Sequence, residues 1–268
     1  MWSIFTLFPF YWILINSFKD RVSTYAYPPG YIPFLQFKPT LIGWIDVFIG
    51  YLSAPLASHY LNSLIVGFGA ALFALVLGAP AAYALARFKF RRPMKNDGIA
   101  FWMLSFRMFP QAATVVPFLY MFSFLGLLDT QLALILADTV AALPFVVWIL
   151  REFIIDLPVE LEEAAQIDGA SRAEIIRHIV LPLIRPGVVV AVILAFIFSW
   201  NELFFAVVLT FTKAETMPVF LVSQFSNFDN LWWDAASMSI LFMIPPLVLS
   251  IFIQKYIARG LTFGAVRG

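Results

Sequence analysis

EEAAQIDGASRAEIIRHIVLPL, residues 162–183, is a charged and polar stretch set between two long apolar runs. Its punctuation is regular. Leu157-Pro158, just ahead of it, opens a helix, because proline is tolerated in a first helical turn. Glu160, Glu162 and Glu163 then stand where carboxylates oppose the positive end of the helix dipole. Leu157, Leu161, Ala164 and Ala165 share one face at helical spacing, and the alanines flatten it for close approach by another surface. Gly169 ends the helix, where a left-handed residue is wanted. Ser171, with Glu174 three residues on, completes a capping box for a second helix. Ile175, Ile176, Ile179 and Leu181 supply the apolar side of that helix, and Pro182 is expected to stop it. The segment reads as two short helices around a glycine corner. An ordinary solvated connector needs no such fixed caps and is usually shorter, so a docking element is the better reading.

The surroundings make it a membrane-surface element. Of 268 residues, 62% are hydrophobic, 18% aromatic and only 12% charged, with a mean hydropathy of +0.89. That composition excludes a soluble domain. A net charge of +1 argues against nucleic acid as a partner. The absence of cysteine excludes disulfides and thiolate metal sites. The two histidines, His59 and His178, lie far apart in sequence, so no metal site is expected. Apolar runs long enough to cross the hydrocarbon fall at about 1–18, 59–86, 98–126, 131–150, 186–211 and 237–257. The first run has no basic lead-in and no small-residue cleavage site, so it is expected to be an uncleaved span.

Lys and Arg set the orientation. Arg87, Lys89, Arg91, Arg92 and Lys95 fall in one loop, and Arg151, Arg172, Arg177 and Arg185 flank or lie in the quoted segment. Lys255, Arg259 and Arg267 follow in the tail. Lys19, Arg21, Lys38 and Lys213 are all that the opposite side holds. Both termini and the quoted segment are therefore expected in the cytoplasm, with 19–58 and 212–236 outside.

Inside the spans, Gly67, Gly69, Ala70, Ala71, Ala74 and Gly78 form a small-residue face suited to close helix packing. Pro110, Pro117, Pro144, Pro245 and Pro246 mark expected kinks or breaks. Arg107, Asp138, Asn201 and Glu202 lie at membrane depth, where polar side chains face a cavity or a partner. Two readings stand for them. They line a pathway for a hydroxyl-rich solute, with Trp200 among the aromatics placed to stack on it, or Arg107 pairs with Asp138 or Glu202 to fix helix packing.

Glu163-Ala164-Ala165, then Gly169, then Ile179, Leu181 and Pro182 give E-A-A, three residues, G, nine residues, I-x-L-P. This resembles the cytoplasmic signature loop of permease subunits in bacterial binding-protein-dependent ABC importers. ELEEAAQIDGAS and IVLPLIRPG look like the maltose-type, sugar and polyol branch, and FSWNELFFAVVLT and RGLTFGAVRG agree. The resemblance covers about residues 59–268, a permease core with the coupling loop at about 152–185, preceded by a first span and external segment in 1–58. It implies an all-α membrane protein of six transmembrane helices with the type I ABC importer permease fold. It also implies a second homologous permease subunit, an ABC ATPase dimer, an extracytoplasmic solute-binding protein and a location in a bacterial or archaeal plasma membrane.

In that scheme the chain binds no cofactor. ATP and Mg belong to the partner ATPase, consistent with the lack of a GxxxxGK[ST] motif. Glu160, Glu162, Glu163, Ala164, Ala165, Asp168 and Gly169 are then the ATPase-coupling residues. The aromatic and polar external loop at 212–236 reaches the binding protein, with Gln224, Asn227 and Asn230 as contacts and Trp232 and Trp233 at headgroup level. The solute is a sugar, a polyol, or a glycerol or glycerol phosphate derivative. An ion-coupled secondary transporter, with Asp138 or Glu202 as the coupling acid, is the main alternative, but no internal repeat supports it. A membrane-embedded enzyme would need catalytic acids or an HExxH motif, and neither appears.

Overall fold

Every regular element in the computed structural model is helical, and the model describes residues 2–91, 94–225 and 231–264, with side chains described through residue 254. Arg92, Asn227, Asn230 and Arg267 lie outside the described residues. In chain order the helices are α1 (Trp2–Asn16), α2 (Arg21–Thr24), α3 (Ile42–Phe48), α4 (Ser53–Arg87) and α5 (Asn96–Ser105). α6 (Gln111–Phe124), α7 (Gln131–Ile155), α8 (Glu160–Ile167), α9 (Arg172–Ile175) and α10 (Leu181–Leu183) follow. The last are α11 (Arg185–Trp200), α12 (Phe204–Leu209), α13 (Met217–Ser223) and α14 (Trp232–Gly264).

Among the described residues, three helices are long and apolar enough to cross a membrane unaided: α4, α7 and the Trp232–Gln254 part of α14. Counting each of two bent pairs as one span brings the number to five. Where the sequence predicts a single kinked span at 98–126, the chain turns by 90° between Asn96–Met108 and Gln111–Phe124. The corner is Phe109-Pro110, both extended, because a proline pushes the residue before it out of the helical region. Pro117, Pro144, Pro245 and Pro246, by contrast, sit inside helices that run on. α1 is apolar but has only 15 residues, about 22 Å at 1.5 Å per residue, so it is shorter than the predicted 1–18 span.

The second bend, 86°, joins Arg172–Leu183 to Arg185–Trp200. Pro182 does not stop the helix before it. The chain widens into a π turn at Ile176–Val180, which moves aside the carbonyl that the proline ring would strike. The break comes at Ile184, where Arg185 and Pro186 start α11.

The chain divides into two compact units. The first comprises Met1–Ser63 and Ala214–Leu247. Its core gathers Val47, Leu52, Leu56, Met217, Phe220 and Met238. α13, inside the predicted external loop, supplies two of these. Phe220 and Trp233 are buried rather than set in an interfacial belt, while Trp232 stays exposed. The second unit comprises Leu64–Lys213 and Val248–Gly268. Here the small residues of α4 do what their spacing predicts. A Cβ on Gly67 would lie 2.8 Å from the Phe196 ring, one on Gly69 2.7 Å from Ile135, and one on Gly78 3.0 Å from Val146. Ala70, Ala71 and Ala74 are fully buried in the same contact zone. Close approach of α4 to α7 and α11 therefore depends on those positions having no larger side chain.

Candidate coupling loop and solute cavity

The quoted segment folds as its caps dictate. α8 ends in a full Schellman turn: Gly169 N–H donates to Gln166 O at 3.1 Å and Ala170 N–H to Ala165 O at 3.0 Å. Gly169 has φ +88° with open space around it, so left-handed backbone alone, and not crowding, requires glycine there. Ser171 and Glu174 close the capping box, with Ser171 N–H donating to Glu174 Oε2 at 2.8 Å. Those hydrogen bonds hold the Glu174 carboxyl below its ordinary value. Ile175, Val180 and Ile184 bury the inner side.

Outward, Glu160, Leu161, Glu163, Ala164, Gln166, Ile167 and Asp168 are exposed. Leu161, Ala164 and Ile167, spaced by three residues, form an apolar strip, with Ile167 87% exposed. A shallow hollow bordered by Asp168, Gly169, Glu174 and His178 lies at the corner. Ala165 is half-buried. Glu162 departs from the expected outward set. It is 3% exposed, turned inward onto Arg87 and Tyr83, and offers no surface to a docked partner.

The polar residues of the apolar runs split in the same way. A cavity of about 470 Å³ opens in the second unit. Trp102, Phe106, Phe109, Phe118, Phe198 and Phe205 wall it, with Arg107, Gln111 and Thr114 as polar groups. Of the expected pathway residues only Arg107 lines it. Its guanidinium lies 4.3 Å from the Phe198 ring centroid and donates to Ala141 O at 3.2 Å, so the pairing with Asp138 or Glu202 does not form.

Asp138 is buried and accepts a hydrogen bond from the Ser199 hydroxyl. Trp200 is fully buried and stacks on Phe196 at 5.5 Å. Glu202 caps α12, accepting from the backbone N–H groups of Phe204 and Phe205, both at 2.9 Å, and from the Gln111 amide at 3.3 Å. Asn201 is exposed and donates to Ile197 O at 2.7 Å. For Glu202 the reason is local: the break after Trp200 leaves backbone N–H groups that need acceptors, and its carboxylate takes two of them. The aromatic walls could not be told from lipid-facing residues in the sequence, because the 90° turn at Pro110 is what collects them.

On the side expected outside, α4 presents His59, Asn62 and Ser63 on one face. His59 Nε2 lies 3.2 Å from Glu215 Oε2, Asn62 donates to Glu215 O at 2.9 Å, and Ser63 Oγ accepts from Met217 N–H at 2.8 Å. Gln224 donates to Phe220 O at 3.4 Å and Ser223 Oγ at 3.2 Å, leaving its amide engaged within its own turn. Within the second unit, Asp129 (φ +58°) accepts from the N–H groups of Phe211, Thr212 and Lys213 at 3.0–3.2 Å. No motif announces it, although Asp in a turn between two spans is a residue that tolerates left-handed backbone.

Residues 74–263 match the family of the binding-protein-dependent transport system inner membrane component. The chain belongs to this family. The permease is 35% identical over 269 residues to the trehalose transport system permease protein SugB of Mycobacterium tuberculosis, covering 98% of this chain and 93% of that one. It is 33% identical over 276 residues to the trehalose/maltose transport system permease protein MalG of Thermococcus litoralis, covering 99% and 93%. Its fold matches a chain of a bacterial ABC transporter involved in the import of the acidic polysaccharide alginate. There the TM-score is 0.77 at 21% identity, over 95% of this chain and 92% of that one. The permease is thus an all-helical ABC importer subunit of the membrane.

Proposed function

We propose that this permease forms part of the inward translocation pathway for a sugar or polyol, driven by ATP that a separate cytoplasmic ATPase dimer binds with Mg and hydrolyses. A second homologous permease completes the pathway, and an extracytoplasmic solute-binding protein delivers the solute. The observation that carries the reading is the α8–Gly169–α9 corner, a rigidly capped element with an exposed apolar strip, in a chain whose relatives are named for trehalose and maltose transport. Glu160, Glu163, Ala164, Ala165, Asp168 and Gly169 meet the ATPase, and Glu162 holds the loop from behind.

Solute passes the aromatic cavity. Ring faces there accept the C–H faces of a sugar, and Arg107, Gln111 and Thr114 offer hydrogen bonds to its hydroxyls. The distribution of Lys and Arg supports cytoplasmic termini in a plasma membrane. Gln224, Asn227 and Asn230 remain the proposed contacts of the binding protein.

The test is reconstitution of both permeases, the ATPase and the binding protein in proteoliposomes. Labelled trehalose and maltose should enter only with ATP on the ATPase side, and an imposed ion gradient without ATP should move neither. Gradient-driven uptake would overturn the reading. Orientation is checked in the same vesicles with Lys95→Cys, expected to react with an impermeant maleimide only from the ATPase side, and Lys213→Cys, expected to react only from the other. The reverse pattern would sink the topology.

A further inference from the structure

The cytoplasmic end of α4 grips the coupling loop on both sides of its glycine corner. Tyr83 and Arg87, four residues apart and so on one helix face, both reach Glu162. The Tyr83 hydroxyl donates to Oε2 at 2.6 Å and Arg87 Nε donates to Oε1 at 2.8 Å. A second nitrogen of Arg87 donates to Leu157 O at 3.0 Å, just ahead of α8. Next along the chain, the Phe88 ring lies 4.7 Å under the guanidinium of Arg172, the first residue of α9. The end of α4 is itself tied down, because the Asn96 amide donates to Leu85 O at 2.6 Å and to Phe88 O at 2.5 Å.

Glu162 and Glu163 are adjacent yet oppositely committed. Glu163 is exposed beside the apolar strip, while Glu162 is buried with both oxygens engaged. α8 cannot shift against α4 without stranding a buried carboxylate and a guanidinium that is only 10% exposed, and that is the costly way to break an ion pair. Loop and helix therefore move together or not at all.

We propose that Tyr83, Arg87 and Glu162 form the joint through which displacement of the coupling loop is passed directly to α4. Glu162 is a positioning residue there and not an ATPase contact. The proposal rests on the importer reading above. It assigns α4, a continuous helix of 35 residues, as the span that takes the load first.

The chain has no cysteine, so maleimide found on this subunit after it is separated from its ATPase and partner permease by gel electrophoresis reports a single cavity position, Thr114→Cys, labelled in the complete complex. With native residues at the joint, ATP, Mg and vanadate should change the maleimide labelling rate of the reporter by about tenfold, within the usual span of inter-site coupling. Glu162→Gln combined with Arg87→Met leaves no unpaired charge and should shrink that change to about twofold or less. The same purified sample, normalised to its ATP turnover, is the control for assembly. Exchanging the pair, Arg87→Glu with Glu162→Arg, should restore most of the response. Tyr83→Phe, which removes one donor only, should fall between. A full response in the neutral double variant, or in Tyr83→Phe should the double variant not assemble, would overturn the joint. If the complex with native residues gives no nucleotide-dependent change at all, the importer reading fails, and this proposal with it.

Discussion

Valine at position 169 is the sharpest perturbation of the coupling corner, because the structure isolates a single cause for its effect. A Cβ there meets nothing within 4 Å, and φ is +88°. Crowding contributes nothing, so the cost is the backbone penalty of left-handed geometry, about 1–2 kcal/mol for an ordinary L-residue and more for a β-branched one. The alternative open to the chain is to give up the two turn hydrogen bonds, Gly169 N–H to Gln166 O and Ala170 N–H to Ala165 O, each of which contributes about 1 kcal/mol net. The two routes are nearly balanced. Valine should therefore leave the corner unformed in a large fraction of molecules and re-aim α9 relative to α8. A series follows from the same argument: Gly169→Asn close to native, since asparagine tolerates this conformation, then Gly169→Ala reduced, then Gly169→Val reduced most. The assay is binding-protein-stimulated ATP turnover and trehalose uptake in proteoliposomes, with the amount of inserted permease measured alongside. Equal uptake across the series at equal insertion would refute the argument that the corner must hold its shape.

Asp129→Ala removes a carboxylate that accepts from three successive backbone N–H groups at 210s positions Phe211, Thr212 and Lys213. It should cost about 2 kcal/mol, given partial exposure, read as a fall in thermal unfolding midpoint that Asp129→Asn does not match. Phe198→Ala opens the cavity wall and should raise the solute concentration needed for half-maximal uptake by about tenfold at near-native stability. Trp200→Ala should instead cost about 3–5 kcal/mol through a core cavity, seen as loss of inserted protein. The capping box gives a pH dependence of known sign. The Glu174 carboxyl is held below its ordinary value by Ser171, so its contribution is present above the unfolded-state value and is lost as pH falls through the lower folded one. Stimulated ATP turnover should therefore decline on acidification through that range, and Ser171→Ala should flatten the decline. An unchanged profile in Ser171→Ala would remove the capping box from the account.

Much of this permease was legible from spacing alone. Gly169 after a helix, Ser171 three residues before Glu174, and small residues repeating along α4 are local signals. The first two state backbone requirements that hold whatever lies nearby, and the third marks a face for close packing without naming its partner. Three of the six apolar runs gave helices long enough to span for the same reason, since length against bilayer thickness is a one-dimensional property. What only the tertiary structure decided was the direction in which each polar side chain is spent. Glu162 and Glu163 look alike in sequence, but the helix turns one toward Tyr83 and Arg87, some 75 residues earlier in the chain for Arg87, and leaves the other exposed. Trp200, Asp138 and Glu202 lie in long apolar runs, as Arg107 does. Yet the break after Trp200 draws Glu202 into capping α12, and close packing takes Trp200 against Phe196 and Asp138 against Ser199. Only Arg107 is left facing the cavity. Burial of a charge is settled by which partner comes within hydrogen-bonding reach, and for Glu162 and Asp138 that partner stands 75 and 61 residues away in the chain, brought close by packing between helices and not by residue order.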